Sequence, residues 1–195
     1  MTVKNIGLAM MPVAFVASGV VFVNASSAAF SAETTNEVDT WTSGKVSLTN
    51  DHATALFAPT GIKPGYTESH CLTVTSTSDI PVTVKMYSKN ITPGVLASNL
   101  LINITEGSNG TNVDGVNGAP GSCTGFTPDG SAGNVYSGTL DGFAAKSNFA
   151  NAGGSALLAP NGSKQYKITV TLPDTADNTV QAKTANASFV WEAQS

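Results

Sequence analysis

The chain has 195 residues, 41% hydrophobic and 11% charged, with 9 Lys, no Arg, 13 acidic residues and 2 His, for a net charge of −4. That length suits one domain better than two, and the apolar content suffices for a core, which excludes a globally disordered chain. Without Arg, and with its Lys scattered, the chain lacks the basic surface that a phosphate backbone demands, so no nucleic-acid partner is expected.

The first thirty residues carry an export pattern. Lys4 is the only charge before Glu33, Ile6 to Val23 runs without a charged residue, and Ala25-Ser26-Ser27-Ala28-Ala29 supplies a small-residue exit. A positive start, an apolar centre and a small-x-small exit describe a secretory signal peptide over residues 1–29, cut by signal peptidase between Ala29 and Phe30. The competing reading is a retained anchor, since eighteen residues just span a bilayer. Pro12, Gly19 and the small-residue exit suit cleavage better, so contact with a membrane is expected only through an uncleaved signal. Removal of residues 1–29 would leave 166 residues and take Lys4 with it, moving the net charge to −5. Residues 30–44 then form an N-terminal segment, and 45–195 a single domain.

Abundant Thr, Ser, Gly and Asn favour strands joined by turns. Short strands are expected at Lys45 to Leu48 and His70 to Thr75. Ile80 to Tyr87 alternates with period two, Val82, Val84 and Met86 facing in and Thr83 and Lys85 facing out. Leu100, Ile102 and Ile104 make another inner row. Gly107 to Gly138 reads as a long Gly/Asn-rich surface excursion. Leu140 to Ala152 has helix-compatible spacing and would cover a sheet edge, ending at Gly153-Gly154. The clearest strand is Gln165 to Leu172, where Tyr166, Ile168, Val170 and Leu172 share a face. Each buried member contributes about 1.5–3 kcal/mol, enough to set the register. After a turn or helical bend at Asp174 to Gln181, Ala187, Phe189 and Trp191 alternate with Ser188, Val190 and Glu192. The expected fold is all-β, a two-sheet jelly-roll-like β-sandwich with one or two short helices and a long Gly/Asn-rich loop.

Export decides how the two cysteines are read. In an oxidising compartment Cys71 and Cys123 pair, closing a 52-residue loop worth about 4 kcal/mol by loop entropy. The other readings are two free thiols or thiol metal ligands, for which the sequence lacks a CxxC spacing. No HExxH, GxSxG, phosphate-binding or dinucleotide motif is present, so no catalytic residue, metal site or cofactor is assigned. The best constellation for zinc is Asp51 and His52 with Glu68 and His70, two imidazoles and two carboxylates on separate segments. Asn112, Asp114 and Asn117 weakly follow calcium-ligand spacing, without the frame of an EF-hand loop; a polar turn explains them as well. Asn-x-Ser/Thr triplets at Asn90, Asn103, Asn109, Asn161 and Asn186 are what chance produces in such a composition.

Behind the expected cut lies Phe30-Ser31-Ala32-Glu33-Thr34-Thr35-Asn36-Glu37-Val38-Asp39-Thr40-Trp41-Thr42-Ser43-Gly44, followed by Lys45-Val46-Ser47-Leu48. This resembles the TasA/camelysin family of secreted matrix-fibre proteins, in which a signal peptide ends at an Ala-Phe junction and a polar stretch, an aromatic and a small-Gly step precede the first strand. The resemblance continues at Ile62-Lys63-Pro64-Gly65-Tyr66-Thr67, from Leu158-Ala159-Pro160-Asn161-Gly162 to Leu172-Pro173, and from Ala176-Asp177-Asn178 to Trp191-Glu192-Ala193. It leaves roughly Gly107 to Gly138 unmatched. Ala32 stands where an acidic residue is common in the family, and a disulfide is not a general family feature.

The resemblance implies a non-enzymatic jelly-roll subunit that polymerises outside the cell, its freed N-terminal segment lending a strand to the next copy. The physics agrees: an extended segment on an open sheet edge satisfies backbone donors and acceptors, with Phe30, Val38 and Trp41 filling pockets. Head-to-tail donation of this kind builds a filament of the chain with itself. The camelysin branch implies a different class, a cell-surface zinc metallo-endopeptidase, for which His52, His70, Glu68 and Asp51 would be the ligands available. A monomeric surface adhesin or binding module on the same sandwich is the third reading.

Overall fold

The computed structural model describes residues 43–195 except 53 and 114–118. The signal segment, the Ala29–Phe30 junction, Val38, Trp41, Asp114 and Asn117 therefore lie outside the described residues. In chain order the strands are β1 (Leu48–Asn50), β2 (Thr67–Ser76), β3 (Val82–Lys89), β4 (Leu101–Ser108), β5 (Thr111–Val113), β6 (Ser122–Thr124), β7 (Thr127–Pro128), β8 (Asn134–Thr139), β9 (Gly153–Leu158), β10 (Ser163–Thr171) and β11 (Ser188–Gln194). Two short helices, α1 (Val95–Asn99) and α2 (Leu140–Phe143), complete the set with two 3₁₀ turns. The fold is an all-β sandwich. Its larger antiparallel sheet runs β1-β2-β10-β4-β7, with β8 also paired to β4; the smaller runs β11-β3-β9, and β5 and β6 form a separate hairpin.

The core sits where the inner faces of the two sheets meet. Tyr166 and Ile168 of β10 are fully buried, as are Val82, Val84 and Met86 of β3, with Leu72, Val74, Ile102 and Ile104 beside them. Those of β3, β4 and β10 are the period-two positions expected from the sequence, and β10 lies between β2 and β4, Ile168 opposite both His70 and Ile104. Gly44–Ser195 forms one compact unit holding this core and every strand pairing given above, so that stretch contains what a domain needs to fold by itself.

Several elements differ from expectation. The first strand is Leu48–Asn50, not Lys45 to Leu48, because Lys45 and Ser47 instead bond to Asp79 and Ser78 beyond the end of β2. The stretch Gly107 to Gly138 is not one surface loop: it contains the β5–β6 hairpin together with β7 and most of β8, which pair with β4. The helix expected over Leu140 to Ala152 is a single turn. Thr139 caps it by accepting from the Gly142 amide, and the Asn148 and Asn151 side chains then capture nearby amides and hold a turn. Gly153-Gly154 opens strand β9 instead of closing a helix. A Cβ at Gly153 would lie 2.2 Å from the Val135 carbonyl oxygen, a close approach that only glycine permits. In β11 the alternation is blurred, Ser188 through Ala193 all being half-buried.

Candidate functional site

Two features of the domain stand apart from the packed core. The first is a cleft of about 1090 Å³. Its floor is the inner face of the larger sheet, where Leu72, Ile102 and Leu172 show, and its walls include Phe57 and Ile62 from the coil before β2 and Phe189 and Trp191 from β11. The fully buried Leu72 and Ile102 at its base show that it reaches the core. Among the described residues β11 pairs with β3 alone, so its other edge presents unpaired backbone groups beside an apolar cleft. Trp191 adds a buried indole N–H that meets no acceptor among the described residues. Phe57, which lines the cleft, stands edge-on to His70 at 4.9 Å and to Phe189 at 6.4 Å. Lys63 and Lys183 also line the cleft and are exposed.

The second feature is a polar cluster under the β5–β6 hairpin. Glu68 and His70, two apart on β2, share the inward face and are both buried. His70 Nε2 lies 2.9 Å from Glu68 Oε1, and His70 Nδ1 lies 3.0 Å from Asn112 Oδ1. Tyr66 donates its hydroxyl to Glu68 Oε2, and the Gly121 amide donates to Glu68 Oε1 at 3.1 Å. Burial by itself would raise the Glu68 carboxyl, but hydrogen bonds from Tyr66, His70 and the Gly121 amide hold it below the ordinary carboxylate range. Burial, reinforced by the Glu68 carboxylate, pushes the Tyr66 phenol well above its usual value.

The hairpin seals an edge as well as covering this cluster. β1 reaches only Val74 to Ser76 of β2, yet the outward amides further along are met in turn. Ser69 donates to the Gly121 carbonyl at 3.1 Å, Cys71 to Asn112 Oδ1 at 3.3 Å, and Thr73 to Asp51 Oδ1 at 2.8 Å. The Cys71–Cys123 disulfide expected from the sequence is present, Cα to Cα 5.3 Å, and fixes the hairpin to β2. Gly110 packs over both sulfurs, its backbone held by the Gln165 amide at 2.6 and 2.8 Å.

The four residues available for zinc separate into two pairs with different duties. Glu68 and His70 belong to the buried cluster, whereas Asp51 caps β2 and His52 lines the cleft, its Nδ1 3.9 Å from Asp51 Oδ1. Among the described residues no group of three or more His, Cys, Asp or Glu is placed to hold a metal ion. Asn112, weighed as a calcium ligand, serves here as the acceptor joining β2 to the hairpin. The cleft walls escaped the sequence reading. Their only signal is Ala55-Leu56-Phe57-Ala58, an apolar island in a coil rich in Thr, Pro and Gly.

Neither the family models nor the curated proteins compared with the chain match it. Among the described residues no helix is long and apolar enough to cross a membrane, and the disulfide belongs to an oxidising compartment rather than the cytoplasm.

Proposed function

We propose that this chain is a secreted subunit of an extracellular or cell-surface fibre, in which residues 30–43 of one copy add as a strand to β11 of the next. The observation that carries this reading is the apolar cleft lined by Ser188, Phe189 and Trp191 of β11, a strand whose other edge pairs with none of the described residues. An added strand satisfies the backbone groups of β11, offers a carbonyl to the Trp191 indole, and covers the apolar floor of the cleft. The segment has the right length: fourteen residues at roughly 3.3 Å each exceed what the seven residues of β11 require. Its charge fits as well, since Glu33, Glu37 and Asp39 meet the exposed Lys63 and Lys183. Phe30, Val38 and Trp41 are the side chains assigned to the apolar pockets.

Donation from copy to copy is heterologous, so it propagates instead of closing into a dimer. Signal cleavage before Phe30 frees the donor, which couples assembly to export. The resemblance to the TasA/camelysin family agrees with this scheme and supplies its biological setting, a matrix fibre. Negative-stain electron microscopy of a chain beginning at Phe30, beside one beginning at Gly44, tests it. Filaments from the first and none from the second are expected; absence of filaments from both, across salt, pH and concentration, overturns the reading.

A further inference from the structure

One wall of the cleft is held differently from the sheets around it. Residues 54–62 are pinned at both ends by backbone bonds. Asp51 exchanges hydrogen bonds with Thr73 on one side, and the Gly65 amide donates to the Leu172 carbonyl at 2.8 Å on the other. Between these pins, among the described residues, 54–62 make no hydrogen bond at all. They are held by three half-buried apolar side chains, Leu56, Phe57 and Ile62. Both Gly61 and Gly65 adopt positive φ, +62° and +85°, and Gly61 has open space about its Cα. Opening this stretch would break apolar contacts only and leave no buried polar group unpaired, the condition for an element with two accessible positions.

We propose that residues 54–62 are a hinged strap, closed over the cleft by Phe57 in the free subunit and swung outward when residues 30–43 of another copy are seated beside β11. The proposal rests on the assembly reading above. Phe57 lies against His70 and against Phe189, a cleft-lining residue beside Trp191 on β11, so strap and donor compete for the same apolar surface. The closed strap keeps the cleft from binding indiscriminately, and the donor is admitted because it adds the β11 hydrogen bonds that the strap does not make.

The test uses the chain beginning at Gly44, grown with fluorinated phenylalanine, and a synthetic peptide of residues 30–43 as the probe. The Phe57 resonance is identified through Phe57→Leu, and Phe126, which packs at Gly107 on another part of the molecule, is the internal control. On adding peptide, the Phe57 line is expected to move from a ring-stacked to a solvent-like position and saturate, while Phe126 stays still. Phe57→Ala is expected to tighten peptide binding several-fold, because the competing closed state is weakened. If the peptide moves Phe189 but leaves Phe57 in place, or if Phe57→Ala weakens binding, the wall is fixed and the strap is refuted while strand addition stands. If no resonance moves, the donor itself is absent and both readings fall.

Discussion

Two sheet edges of this domain are finished in opposite ways. The outer edge of β2 is closed along its length, by β1, by the Asp51 carboxylate, by Asn112 and Gly121 of the hairpin region, and by a disulfide. The other edge of β11 has no strand paired to it among the described residues, although β1 lies near Phe189 to Trp191, and the start of β11 lines an apolar cleft. Uncovered edges invite pairing with any chain. In the proposed fibre the stapled edge of β2 is closed to strand addition, whereas the edge of β11 is available for it. The comparison also separates two kinds of residue: those at β2 should matter to folding, and those at the cleft to assembly.

Removing the staple has the largest expected effect. Replacing Cys71 and Cys123 together by Ser should cost about 4 kcal/mol in urea unfolding, on the entropy of the 52-residue loop. Next is Gly121→Ala, which places a Cβ 2.4 Å from the buried His70 ring and should cost about 3 kcal/mol by overpacking. Asn112→Ala removes the acceptor of the Cys71 amide and of His70, and a loss of about 2 kcal/mol is expected from the groups left unpaired. An Asn112→Ala protein as stable as the parent would show that the edge is held by the disulfide alone.

The acid limb of stability sharpens the same point. Because the Glu68 carboxyl is held below its ordinary range, its contribution is complete above the unfolded-state value of about 4.3 and is lost as pH falls through the folded-state value. Glu68→Gln should therefore flatten the loss of stability below that point, measured by denaturation at a series of pH values. The smallest effect on folding is expected at the cleft mouth. Lys63→Glu with Lys183→Glu should change stability by less than about 0.5 kcal/mol, since both are exposed. Filament elongation, followed by light scattering at low salt, should nevertheless slow several-fold, and added salt should erase the difference. Equal elongation rates at low salt would remove charge from the account of donor capture.

Much of the inner face of both sheets was legible in the chain before folding. Tyr166, Ile168, Val82, Val84, Met86, Ile102 and Ile104 read correctly as inward, because a strand buried on one face must alternate and no tertiary contact can overrule that pattern cheaply. The stretches that misled were those whose strands pair far along the chain. β5 to β8 carry too few apolar residues to signal themselves: β7 and β8 are held by pairing with β4, and the β5–β6 hairpin by the disulfide and by hydrogen bonds to β2. Gly153-Gly154 looked like a helix stop because the Val135 carbonyl that demands glycine there is invisible in sequence.

The all-β class, the inner rows of its main strands and the cysteine pairing follow from composition, period and count, which are local or statistical properties of the chain. The cleft, the sealed edge of β2 and the separation of His70 from His52 do not. Each depends on which residues distant in sequence come to lie side by side, and one alternating pattern is compatible with many strand orders. Which edge is covered and which stays bare is therefore decided by the packing of the sheets, where the cost of leaving backbone groups unpaired is settled contact by contact.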